Sequence, residues 1–116
     1  MNNQNAKSDA GKTELILVPR KIFWFIAKIR MYGNAKYGDP DNWKQVESDR
    51  YRNAAFRHFL RYLDDPNGVD EESGLPHLWH LACNVAFLCE RWGEEAGVKL
   101  YADDRVIMER KEHERL

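Results

Sequence analysis

Glu71, Glu72, His77 and His80 crowd into one short stretch, and His58 stands on the segment before them. Carboxylates and imidazoles are the side chains that divalent cations take as ligands. On a helix His77 and His80 share one surface and Asn84 follows a turn further along, so the three converge on one point. The same residues admit a reading without chemistry, in which histidines of an antiparallel helix pair hydrogen-bond across it and the acidic pair complements a helix dipole. A second group is cationic. Arg50, Arg57 and Arg61 form a row with His58 on its boundary, either a solvated face or a phosphate-binding one. A third is aromatic: Tyr37 and Trp43 fall among turn formers, where they either lid one end of a helical core or stack on a flat group such as a base.

Three helices must position these groups. Ile22, Phe25, Ile26 and Ile29 recur at helical spacing, which predicts a helix from about Pro19 to Tyr32 with Gly33 as its stop. Gly33 to Glu47 reads as a loop. Ser48 or Asp49 then caps a second helix to about Leu63, which ends at the turn signal Asp65-Pro66-Asn67-Gly68. On it Phe56, Phe59, Leu60 and Leu63 gather on one side, with Tyr51, Ala55 and Tyr62 beside His58 at the edge of the arginine row. Pro76 opens a third helix to about Trp92, with Leu78, Leu81, Ala82, Val85, Leu88, Cys89 and Trp92 as its apolar face. Beside that face His77, His80, Asn84 and Arg91 make a polar stripe. Residues 94–116 fit a short, charged helical tail. The expected fold is all-α, a small helical bundle over residues 14–116 behind a disordered, Asn-rich tail at 1–13.

Composition narrows the function classes. In 116 residues, 18 Lys and Arg oppose 19 Asp and Glu, so the chain lacks the cationic excess that drives binding to a nucleic-acid polymer. The longest apolar run, Ile22 to Ala27, is far short of the roughly 20 residues that cross a bilayer. No membrane partner is expected, and the polar N-terminus predicts a cytoplasmic protein. Cys83 and Cys89 point to different sides of one helix and read as small buried hydrophobes in a reducing compartment. There is no phosphate-cradling Gly-x-x-x-x-Gly-Lys-Ser, no Gly-x-Ser-x-Gly, no Cys-x-x-Cys, no His-Glu-x-x-His and no His-Asp dipeptide. Phosphoryl chemistry on a helical scaffold is left. So short a chain completes its core and pocket most readily as a dimer or tetramer.

The order Gly33-Asn34-Ala35-Lys36-Tyr37-Gly38, Asn42-Trp43, Ala54-Ala55-Phe56-Arg57-His58, Asp70-Glu71-Glu72-Ser73-Gly74-Leu75-Pro76-His77-Leu78-Trp79-His80 and Asn84 resembles a phage-associated dATP/dGTP diphosphohydrolase-like family. The motifs lie between Gly33 and Glu90, about half the chain. The resemblance implies a fold related to the MazG-like nucleotide pyrophosphohydrolases, which cleave a nucleoside triphosphate between its α- and β-phosphates with a divalent metal. It implies purine (deoxy)nucleotides as substrates, Mg²⁺ or Mn²⁺ as cofactor, and the host cytoplasm as location for a phage-encoded chain. On that footing Glu71, Glu72, His77 and His80 are the metal ligands, and His58, Glu72 and His80 the catalytic groups. Lys36 and Arg57 clamp phosphates, Tyr37, Asn42 and Trp43 contact the base or sugar, and Arg50 and Asn84 complete the substrate-binding set. The chain departs from the MazG-like pattern of paired carboxylates by carrying His and Asn on its third helix. That donor set suits Mn²⁺ or another transition ion, or direct phosphate binding through imidazolium and arginine without a metal. The alternative function is a sponge that sequesters a host signalling nucleotide without cleaving it.

Overall fold

A computed structural model describes residues 12–94, 98–100 and 106–108. It divides into two compact units: Pro19–Arg91 is one, and the flanking segments Met1–Val18 and Trp92–Leu116 group as the other. The first unit is all-α. Its helices are α1 (Lys21–Tyr37), α2 (Ser48–Asp64) and α3 (His77–Arg91), and α3 packs against both others.

α1 runs five residues beyond the expected end. Gly33 stays within the helix, and Gly38 takes the left-handed turn (φ 72°) that closes it, its N–H donating to the Asn34 carbonyl. Ala35 and Lys36 are good helix formers after Gly33, whereas Asp39-Pro40 after Gly38 cannot continue one. Lys36 and Tyr37, expected in a loop, therefore stand on the last turn of a rigid element. The remaining loop is held as well: Arg30 donates from Nη2 to the Pro40 carbonyl at 2.5 Å, and Asn42–Gln45 winds into a single 3₁₀ turn.

α2 matches its expected span, but Ser48 lies inside the first turn and Glu47 is the extended capping residue, with no side-chain cap. Asp49 in that turn complements the helix dipole. The buried side of α2 is not the one with the greatest hydrophobicity. Tyr51, Ala55 and His58 face inward, while Phe56, Phe59, Leu60 and Leu63 are exposed. Those inward residues meet α3 on the side that carries its histidines and Phe87. The core is correspondingly small: Ile29, Tyr51, Ala55, His58 and Cys83 are the buried residues of this unit. Phe25 on α1 stacks on Trp79 of α3 with centroids 4.5 Å apart, worth about 1 kcal/mol beyond the area it buries.

The α2–α3 connection is tightly hydrogen-bonded. Asp65 Oδ1 accepts from Asn67 N and the Asp65 carbonyl from Gly68 N. Val69 then bridges to Pro76 in antiparallel fashion, and Asp70 N donates to the Leu75 carbonyl at 2.8 Å. Gly74 (φ 71°) makes the reversal that an L side chain resists.

In the flanking unit Leu15–Leu17 forms a 3₁₀ turn, and Val98–Leu100 (β1) pairs antiparallel with Val106–Met108 (β2), Lys99 opposite Ile107. This hairpin stands where a helical tail is expected; Val98, Val106 and Ile107 are β-branched and favour the pleated form. The expected tail at 1–13 lies almost wholly outside the described residues. Among the described residues no helix is long and apolar enough to cross a membrane.

Candidate functional site

α3 supplies one side of the site along its length. His77, His80, Asn84, Phe87 and Arg91 follow one another at helical spacing, so one stripe carries imidazoles at the N-terminal end and an aromatic ring and a guanidinium at the C-terminal end.

At the imidazole end, α2 brings His58 against the stripe. The Nδ1 atoms of His58 and His77 face each other at 2.8 Å, one donating and the other accepting. His58 also stacks on His80, centroids 4.6 Å apart and planes 10° from parallel. His80 Nε2 shares a 2.7 Å hydrogen bond with Ser73 Oγ, which accepts the Leu75 N–H. Asp70 joins them from the connecting loop. A carboxylate oxygen of Asp70 and ring nitrogens of His58 and His77 all lie within 4.8 Å of one another. The carboxylate is held in place because Oδ1 accepts from the backbone N–H groups of Glu72 (3.0 Å) and Ser73 (2.9 Å).

The electrostatics follow from this crowding. Burial, and after it the neighbouring His80 and His77, push the His58 pKa down to about 4. His80 is lowered too, by burial and by His77, with Asp70 acting in the opposite direction. For Asp70 burial acts upward, yet the Ser73 and Glu72 N–H groups and the histidines outweigh it and hold the carboxyl below its usual range. Near neutral pH the buried His58 is thus a neutral imidazole beside the Asp70 carboxylate. Glu72 points elsewhere: it pairs with Lys36, and the Lys36 ammonium and the Tyr32 hydroxyl keep it ionised.

The other end is aromatic. Trp43 stacks on Phe87 (4.7 Å, 13°), Tyr51 leans on the same ring (4.8 Å), and the Tyr51 hydroxyl donates to the Trp43 carbonyl at 2.6 Å. Arg91 locks this cluster. Its guanidinium donates to Ser48 Oγ and to the carbonyls of Trp43 and Lys44 at 2.9 to 3.1 Å, and lies over the Trp43 and Tyr51 rings. Arg30 sits 5.2 Å from the Phe87 centroid.

Between the two ends lies a cavity of about 350 Å³. Tyr37, Asn42, Trp43, Arg50, Arg57, His58, Glu72, His80 and Asn84, all singled out from sequence, line it together. Lys36 is outside its lining, engaged by Glu72. His77 and Glu71 line a second cavity of about 330 Å³ with Arg61, and Arg57, His58, Asp70 and Glu72 border both spaces. Asp70, Ser73, Tyr51, Phe87 and Arg30 have no site role assigned from the sequence, although Asp70 and Ser73 lie within the motif that carries the family resemblance. The motif and the turn-forming spacing of Asp70 before Ser73-Gly74 are signals for both residues, but they do not fix where the Asp70 carboxylate points.

A family model described as dATP/dGTP diphosphohydrolase, N-terminal, matches residues 2–99. The chain belongs to this family. It is 34% identical over 82 residues to the dATP/dGTP diphosphohydrolase of Salmonella phage PMBT28. That alignment takes in 71% of this chain and 28% of the phage protein, so the chain spans less than a third of that relative's length. No solved structure matches it. The all-α class and the family expected from the sequence therefore both hold.

Proposed function

We propose that the Pro19–Arg91 unit is a purine deoxynucleoside triphosphate diphosphohydrolase site, releasing a monophosphate and pyrophosphate with a divalent cation. The observation that carries this reading is one cavity lined by Trp43 and Phe87 at one end and by Arg57, His58, His80, Asp70 and Glu72 at the other. Its volume, about 350 Å³, is in the range of small-molecule sites. Tyr37, exposed at the cavity beside the packed Trp43–Phe87 pair, offers a ring for a base to stack on, and Asn42 and Asn84 the amide groups for its edge or the sugar. Arg50 and Arg57 neutralise phosphate oxygens. In this reading Glu72, kept ionised by Lys36 and Tyr32, and His80, held by Ser73, are the proton acceptors for the attacking water, Glu72 after release from Lys36. A bound divalent ion would polarise the attacked phosphoryl oxygen and offset the triphosphate charge. The exposed Phe56, Phe59, Leu60 and Leu63 on α2 support self-association, which light scattering at micromolar concentration tests; a monomer mass would refute it.

The decisive assay incubates the purified chain with each deoxyribo- and ribonucleoside triphosphate and Mg²⁺ or Mn²⁺, and separates the products by chromatography. dAMP or dGMP with pyrophosphate is the expected result. Intact nucleotides throughout would reject it. A second reading, a nucleotide-binding protein that sequesters without cleaving, is favoured by the engagement of Glu72 and His80 by protein partners, Lys36 and Ser73. Tight binding of dATP or dGTP without products would select it.

A further inference from the structure

We infer that His58, Asp70 and His77 form a three-ligand site for one imidazole-preferring divalent ion such as Zn²⁺ or Co²⁺, set in the partition between the two cavities. This rests on the reading of the unit as a nucleotide site and identifies the ion that the site selects.

The donor set comes from three separate elements: α2, the connecting loop and α3. The facing Nδ1 atoms of His58 and His77 are 2.8 Å apart and need to open to about 3.4 Å to become adjacent ligands of one tetrahedral ion with metal–nitrogen bonds of about 2.1 Å, a small rotation of the two rings. An ion placed there displaces the proton shared between the rings, and the donor ring takes that proton up at its Nε2, leaving both Nδ1 lone pairs for the ion. The Asp70 oxygen is within 4.8 Å of both, and its carboxylate is already oriented by the two backbone N–H donors, the arrangement that fixes a ligating carboxylate. His58 and Asp70 border both cavities, which leaves the remaining coordination positions facing open space rather than protein. Two imidazoles and one carboxylate with open positions match transition ions, whereas Mg²⁺ takes oxygen ligands and retains its waters.

The expected ligands from sequence divide accordingly. His77 belongs to the set. His80 is engaged by Ser73 through Nε2, Glu72 is paired with Lys36, and Glu71 stands outside the three-residue group.

The test uses the full chain, stripped with EDTA and dialysed, and no nucleotide. Calorimetric titration with ZnCl₂ and visible absorption on adding CoCl₂ are expected to give one site per chain, with Zn²⁺ favoured over Mg²⁺ by at least about 100-fold. Asp70→Asn and His77→Gln are each expected to weaken Zn²⁺ binding at least about tenfold, and Glu71→Gln to change it less than about twofold. Zn²⁺ should also shift the ring resonances of His58 and His77 more than those of His80 in the unsubstituted protein, a readout independent of how the variants fold. No saturable Zn²⁺ or Co²⁺ binding, or a Glu71→Gln loss as large as that of His77→Gln, would overturn the site. Hydrolysis of dATP or dGTP with Mg²⁺ in a chain that binds no Zn²⁺ would reject this inference and leave the proposed activity standing. Saturable Zn²⁺ binding without nucleotide cleavage would do the reverse.

Discussion

Acidifying the metal-free protein should destabilise it through His58. The imidazole is 9% exposed and hemmed in by His80 and His77 on α3, Asp70 on the connecting loop and Arg57 on its own helix. Its pKa falls from an ordinary value of 6.5 to about 4 on folding. A depressed histidine means that the unfolded chain binds the proton more tightly, so stability is unaffected well above pH 6.5. It is lost progressively as pH falls from there to about 4. With those two values the loss is about 1.4 kcal/mol at pH 5.5 and about 2.5 kcal/mol at pH 4.5. His80 adds in the same direction, and Asp70, depressed below its usual range, adds a further loss at lower pH. The assay is urea unfolding with EDTA at pH 7.5, 5.5 and 4.5, for the natural chain and for His58→Asn, whose amide keeps a polar group near the Nδ1 position without titrating. The variant starts less stable at pH 7.5, and its further loss down to pH 4.5 should be smaller by about 2 kcal/mol. Equal slopes in the two proteins would refute a buried, neutral His58.

Arg91→Met keeps the apolar stem but removes three hydrogen bonds and two ring contacts, and should cost about 2 to 4 kcal/mol in urea unfolding; a loss under about 1 kcal/mol would show that the 42–45 turn is held by other means. Arg57→Ala should raise the Kd for dATP or dGTP by about 10- to 100-fold in fluorescence titration, with thermal stability little changed; unchanged affinity would remove Arg57 from the phosphate site. Burial pushes the Cys83 thiol up to about 11 while Cys89 is exposed, so a thiol reagent at pH 7.5 should label one cysteine per native chain and two in urea. Mass spectrometry finding Cys83 modified in the native protein would contradict its burial.

The helices were legible because their apolar spacing and Pro or turn punctuation agree. The end of α1 was not, since two glycines five residues apart offer two stops and only the strength of the intervening helix formers separates them. The inward side of α2 is not legible from hydrophobicity alone, for a physical reason. Summed hydrophobicity selects Phe56, Phe59, Leu60 and Leu63, but this helix turns toward α3 the residues that build a site, Tyr51 and His58, and leaves its most apolar stripe outside. The His77, His80 and Asn84 stripe could be read directly from helical spacing. Asp70 could not, because its position depends on a turn closed by Val69–Pro76 and Gly74, and an acidic run ahead of a helix has an ordinary explanation in the dipole.

α3 acts as a ruler. From His77 to Arg91 the helix advances about 21 Å at 1.5 Å per residue, and His80, Asn84 and Phe87 on successive turns of one side line the cavity, with His77 and Arg91 beyond its two ends. Substitution on its other faces leaves that ladder intact, whereas deleting a single residue between His80 and Phe87 would swing Phe87 and Arg91 by about 100° away from the histidines. The helix is therefore far more tolerant of changes in its letters than of changes in its length: a one-residue deletion should separate ion binding from base stacking while leaving the helix itself folded.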